Sequence, residues 1–92
     1  MRMNDFEKLI SAGDILVYFY ADWCGKCKMV SSEFKKLDYL NIIMINVDES
    51  RDICKKYLVM SVPTLIYFKK DGSYNSISGL VSSEEILDLI KK

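Results

Sequence analysis

Ninety-two residues, half of them hydrophobic, suffice for one domain with its own core. The 13 acidic and 13 basic residues cancel, which argues against the basic surface that a nucleic-acid partner needs. No apolar run reaches the ~18 residues of a membrane span, and the charged start Met1-Arg2-Met3-Asn4-Asp5-Phe6-Glu7-Lys8 lacks a signal peptide's apolar core. A cytoplasmic protein is expected.

Asn4 starts the first predicted helix, with Glu7 three residues on in a capping-box pattern. Phe6, Leu9 and Ile10 form its apolar stripe, and Gly13 ends it. Residues 15–20 are continuously apolar and read as a central strand buried on both faces. A second helix is expected from about Cys24 to Leu37, with Met29, Val30, Phe34 and Leu37 facing inward. Residues 42–47 read as a second buried strand, ending at Asp48. Strand, helix, strand in this length makes a βαβ unit, with parallel strands and a right-handed crossover.

Ser50 is placed to cap a short helix carrying Ile53, Cys54 and Tyr57. Pro63 blocks helix and starts the strand at residues 64–68. Asp71-Gly72 is a hairpin signal, and the returning strand covers residues 74–78, closed by Gly79. Ser82 with Glu85 is another capping box, opening a last helix with Ile86, Leu87, Leu89 and Ile90 inside. With no repeats or linkers, residues 1–92 read as a single domain.

The chemistry sits in Trp23-Cys24-Gly25-Lys26-Cys27-Lys28. A strand followed by C-x-x-C at the mouth of a helix is the layout of a dithiol that cycles between thiol and disulfide. Unpaired N–H groups and the positive dipole end at a helix start favour the reactive thiolate. Zinc fits poorly: a closed structural site takes four Cys or His ligands, and the chain has three cysteines and no histidine. The odd cysteine count also does not suit a secreted disulfide framework.

These residues resemble the thioredoxin family, over nearly the whole chain. Members carry W-C-G-P-C-K after a central strand, matched here by Trp23 to Lys28. A cis-proline precedes the third core strand, matched by Val62-Pro63-Thr64. An Asp ends the preceding strand (Asp48), and a glycine lies in the last strand-to-helix turn (Gly79). The resemblance implies an α/β thioredoxin fold: a four-stranded mixed sheet in order 2-1-3-4 with helices on both faces. At most a stub of a fifth strand, from Met1-Arg2-Met3, would lie on the edge of residues 42–47.

It further implies a protein-disulfide reductase, a monomeric electron carrier of cell redox homeostasis. Cys24 would be the exposed nucleophile and Cys27 the resolving thiol. Trp23, Gly25, Lys26, Val62, Pro63, Gly79 and Leu80 would face the substrate. No cofactor would be bound. Electrons would come from NADPH through a thioredoxin reductase, and the other partners would be disulfide-containing client proteins, with neither nucleic acid nor membrane.

Four departures from the family pattern stand out. Lys26 replaces proline between the cysteines; a cation there favours the Cys24 thiolate, and a stabilised reduced form is more oxidising. A potential above thioredoxin's ~−270 mV, nearer ~−200 mV, is expected. Tyr18 stands where many members bury an aspartate that takes a proton from the resolving thiol, and is expected to be core packing. Met44 stands where a lysine often accompanies that aspartate; losing both is consistent, because a lone buried charge costs several kcal/mol. The chain is also short, and Ser32 replaces a helix-kinking proline, so a shorter, straighter second helix is expected. Cys54, alone on the third helix, reads as a small buried hydrophobe. The competing functions are a non-catalytic binding module, for which the missing acid speaks, and a more oxidising oxidase or isomerase, for which Lys26 speaks.

Overall fold

Six successive apolar residues have nowhere to go but the middle of the molecule. Ile15–Tyr20 forms β1, and all but Tyr20 are buried. The computed structural model describes residues 1–38 and 40–91. The other elements are α1 (Met3–Ser11), α2 (Gly25–Glu33), β2 (Ile42–Asn46), α3 (Arg51–Lys56), β3 (Thr64–Phe68), β4 (Tyr74–Ser78) and α4 (Ser83–Lys91). The sheet order is β2-β1-β3-β4. β2 runs parallel to β1, with Phe19 opposite Ile45. β3 runs antiparallel to β1, and β4 antiparallel to β3.

Alternation along β1 divides the interior in two, since successive side chains point to opposite faces. Leu16 and Tyr18 join Val30, Leu37, Leu65, Ile86 and Leu89 under α2 and α4. Val17 and Phe19 join Phe6, Ile45, Ile53, Ile66 and Phe68 under α1 and α3. The redox motif therefore starts where the most buried strand ends.

The turns follow their local chemistry. Gly13 leaves α1 at φ +75°, and a Cβ there would lie 2.6 Å from Lys70 Cα, so only glycine fits. Gly72, at φ +89°, donates its N–H to the Lys69 carbonyl at 3.1 Å and turns the β3–β4 hairpin. The second capping box forms as expected: the Glu85 N–H donates to Ser82 Oγ and the Ser82 N–H to Glu85 Oε1, each at 3.2 Å.

Several expectations are corrected. α1 begins at Met3, because the Phe6 N–H already bonds the Arg2 carbonyl at 3.0 Å; Asn4 thus lies inside the first turn and caps nothing. Leu9 is exposed on that helix, leaving Phe6 as its buried anchor. Met1 and Arg2 form no strand, and the Met1 ammonium donates instead to Ser50 Oγ at 3.4 Å. Ser50 precedes α3 but its side chain makes no cap. β2 is an edge strand with only Ile45 fully buried, because just one neighbour covers it.

The second helix covers the expected residues but in two pieces. α2 ends at Glu33 and continues as a 3₁₀ turn over Phe34–Leu37. Met29 points outward, 57% exposed. Cys27 and Val30 set the buried face, and a residue two positions past Cys27 lies ~200° round the helix from it.

Candidate active site

β1 delivers the chain to the site and α2 presents it. The Cys24 N–H bonds the Ala21 carbonyl at 3.2 Å, turning the strand end back. Cys24 is then the N-cap of α2 in an extended conformation, φ −89° and ψ 106°, and its Sγ accepts the Cys27 N–H at 3.2 Å. An N–H aimed at a sulfur stabilises negative charge there. Cys24 and Cys27 are joined as a disulfide, with Cα atoms 5.3 Å apart.

Both cysteines are covered in this oxidised form: Cys24 is 6% exposed and Cys27 3%. The expectation of an exposed Cys24 is corrected, although Cys24 remains the more accessible of the two. Both belong to the cluster containing Ala21, Val30 and Val81, so the disulfide sits on the core.

Around them, Trp23 is 71% exposed, and its indole N–H donates to Asp48 Oδ2 at 3.0 Å. That bond explains why an Asp just past β2 belongs to the motif: it holds a large exposed ring still. The Val62–Pro63 peptide is cis, as expected. Pro63 is buried, Val62 packs on the cysteine cluster, and the Gly79 N–H bonds the Pro63 carbonyl at 2.9 Å. This last bond brings residues 63 and 79 together from opposite ends of the β3–β4 hairpin. Gly25, Lys26 and Leu80 lie at exposed positions around the rim.

Sequence reasoning missed part of the role of Tyr18. Its ring is core packing: fully buried, stacked on Tyr20 at 5.6 Å and edge-on to Phe34 at 4.8 Å. Its hydroxyl, however, donates to the Cys27 carbonyl at 2.8 Å and accepts from Ser31 Oγ at 3.1 Å. Burial pushes the Tyr18 pKa up, opposed by the Ser31 hydrogen bond. The available signal was Ser31, one helical turn past Cys27 and therefore on the same face. Cys54 is buried, and burial first, then the Asp52 charge, raises its pKa. Its burial matches the small buried hydrophobe expected. Among the described residues, no group of three or more His, Cys, Asp and Glu could hold a metal ion, and no helix is long and apolar enough to cross a membrane.

The family model for thioredoxin matches residues 1–92. The chain belongs to the thioredoxin family. It is 37% identical over 94 residues to thioredoxin of Staphylococcus epidermidis, covering 97% of this chain and 90% of that one. The thioredoxin of Staphylococcus aureus is likewise 37% identical, over 96% of this chain and 89% of its own. Among solved structures, a mutant thioredoxin from Halobacterium salinarum superposes with a TM-score of 0.87 at 30% identity, over 99% of this chain and 84% of that chain. Mitochondrial thioredoxin 3 of Saccharomyces cerevisiae, in its oxidised form, gives 0.84 at 31%, over 98% and 90%.

The protein is accordingly a thiol–disulfide oxidoreductase with protein-disulfide reductase activity. Its redox-active disulfide is Cys24–Cys27, and it serves electron transport and redox homeostasis. The binding-module reading gives way, because the thioredoxin dithiol is intact.

Proposed function

We propose that Cys24 is the attacking thiol and Cys27 the resolving thiol. The observation that carries this is the Cys27 N–H aimed at Cys24 Sγ, at the start of α2. In the reduced protein, the Cys24 thiolate attacks one sulfur of a client disulfide. A Cys24–client S–S bond forms, the client S–S bond breaks, and the first client thiolate leaves and takes up a proton. Cys27 then loses its proton and attacks Cys24 Sγ. The Cys24–Cys27 bond forms and the second client thiolate departs. Two electrons have moved from the protein dithiol to the client.

Trp23, Gly25, Lys26, Val62, Pro63, Gly79 and Leu80 form the client-facing surface in this reading. The exposed indole and Leu80 offer apolar contact, and family membership suggests that the Val62 backbone pairs with an extended client segment. Residues 1–92 act as one domain and a monomer in the cytoplasm. NADPH supplies electrons through a thioredoxin reductase, and the clients are disulfide-containing proteins, as membership of the family suggests.

Insulin reduction driven by dithiothreitol tests the reading. The protein should accelerate it strongly, and Cys24→Ser should abolish the acceleration. A Cys24→Ser variant that still accelerates the reaction, or a folded wild type with titratable thiols that does not, would overturn it.

A further inference from the structure

The second half of the cycle asks Cys27 to give up a proton and strike Cys24. The core around Cys27 holds a neutral group where a buried carboxylate could have taken that proton. Tyr18 is fully buried, and its hydroxyl is committed on both sides: it donates to the Cys27 carbonyl at 2.8 Å and accepts from Ser31 Oγ at 3.1 Å. Burial raises the Tyr18 pKa further from neutrality, so the hydroxyl stays protonated while the cycle turns. It can hold the backbone of Cys27, but it is poorly suited to remove a proton.

Beside it, a groove is lined by Tyr20, Ala21, Asp22, Lys28, Ser31 and Met44, with Cys27 and Tyr18 in its wall. Met44 is directly opposite Tyr18 in the β1–β2 register and is itself exposed. The titratable and charged groups facing this groove are thus Tyr18, Tyr20, Asp22, Cys27 and Lys28. Asp22 and Lys28 are exposed and of opposite sign, so neither replaces a buried acid. The groove gives solvent a way to the first turn of α2.

We propose that Tyr18, braced by Ser31, is a positioning residue for the resolving step: it fixes the Cys27 main chain against Cys24, while the Cys27 proton leaves to solvent through the groove. The proposal rests on the assignment of Cys27 as the resolving thiol. Its energetic logic is that of any held reactant. Fixing one reacting group relative to the other reduces the entropy lost in reaching the attacking geometry. A bond to the main chain of Cys27 does this without blocking its sulfur.

The test is a stopped-flow reaction of the reduced protein with an aromatic disulfide, 5,5′-dithiobis(2-nitrobenzoate). Attack by Cys24 releases one coloured thiolate. Attack by Cys27 on the resulting mixed disulfide releases the second, so the two steps appear as separate phases. Cys27→Ser tests the assignment itself: a first phase at the wild-type rate with no second upholds Cys27 as the resolving thiol, and loss of the fast first phase sinks that assignment and this proposal with it.

With Cys27 so assigned, Tyr18→Phe, which keeps the ring and removes only the hydroxyl, should leave the first phase within about twofold and slow the second about tenfold. The midpoint of its pH profile should stay where it is in wild type. Ser31→Ala should slow the second phase in the same sense but less, and it serves as the test if Tyr18→Phe does not fold. An unchanged second phase in a folded variant would reduce Tyr18 to core filling. A shifted midpoint would mean that Tyr18 acts on the Cys27 proton rather than on its main chain. Either result overturns the proposal.

Discussion

Lys26 carries a charge that the fold leaves open to solvent. It lies in the first turn of α2, exposed, between the two cysteines. A cation near Cys24 favours the thiolate, and stabilising the reduced form raises the reduction potential. Exposure works against it, because water and salt screen a surface charge. Lys26→Pro should therefore lower the potential towards thioredoxin's ~−270 mV by tens of millivolts, with ~30 mV equivalent to ~1.4 kcal/mol. Equilibration against glutathione at low and high salt reads this, and the difference should shrink with salt. Equal potentials would mean that the Lys26 charge is fully screened from Cys24. At this scale the sequence was most informative about residues defined by type, such as the cysteines, Trp23 and Pro63. It was least informative about Tyr18, whose hydroxyl has a role only because α2 lays Cys27 and Ser31 over it.

Between elements, one carboxylate joins the two helices of the redox face. Glu33 ends α2, and its Oε1 accepts the Ser83 N–H at the start of α4 at 2.9 Å, while Oε2 pairs with Lys36 at 3.2 Å. An anion on the free N–H groups of a helix start is a favourable arrangement. The Ser83 N–H first, and Lys36 second, hold the Glu33 pKa below its usual value. The sign follows: a carboxylate whose pKa is lowered by folding adds stability above its unfolded pKa, and that stability is lost as pH falls through the folded value. Glu33→Ala should lower Tm at neutral pH, and the gap to wild type should close as the solution is acidified below the usual glutamate range. A gap that persists in acid would show that the effect is packing rather than charge. Neighbouring sequence reveals the Ser82–Glu85 box, whose partners are three residues apart, but not this bond, whose partners are 50 apart.

The whole molecule is two small cores separated by one sheet, and only one of them carries the chemistry. On the far face, Phe6 from α1 meets Tyr57 at 5.6 Å and Phe68 at 5.9 Å, both edge-on, with Phe19 at 6.5 Å. It is fully buried and is the sole buried residue of α1. Phe6→Ala should cost about 3–5 kcal/mol, a large part of the ~5–15 kcal/mol that holds a typical domain together. Thermal unfolding should drop by roughly 4–8 °C for each kcal/mol lost. Insulin reduction per folded molecule, measured well below that transition, should hardly change, since Cys24 and Cys27 pack in the other cluster. A Tm within a few degrees of wild type would mean that α1 is dispensable to the core.

Local features sufficed for β1, β3, β4, the hairpin, the second capping box and the redox motif, because each is specified by neighbours in the chain. A continuous apolar run, a Pro, an Asp-Gly pair or a C-x-x-C acts over a few residues. The outcomes that differed depend on what the chain meets from far away. β2 is as apolar in sequence as a central strand, yet it is an edge strand because the sheet ends there. Met29 faces out because Cys27 and Val30 set the buried side of α2. Cys24 is covered because it packs in the core cluster with Ala21, Val30 and Val81. Tyr18 bonds to the Cys27 carbonyl because the fold lays the start of α2 against β1. Burial and hydrogen-bond partnership belong to the packed whole, and the tertiary structure alone decided them.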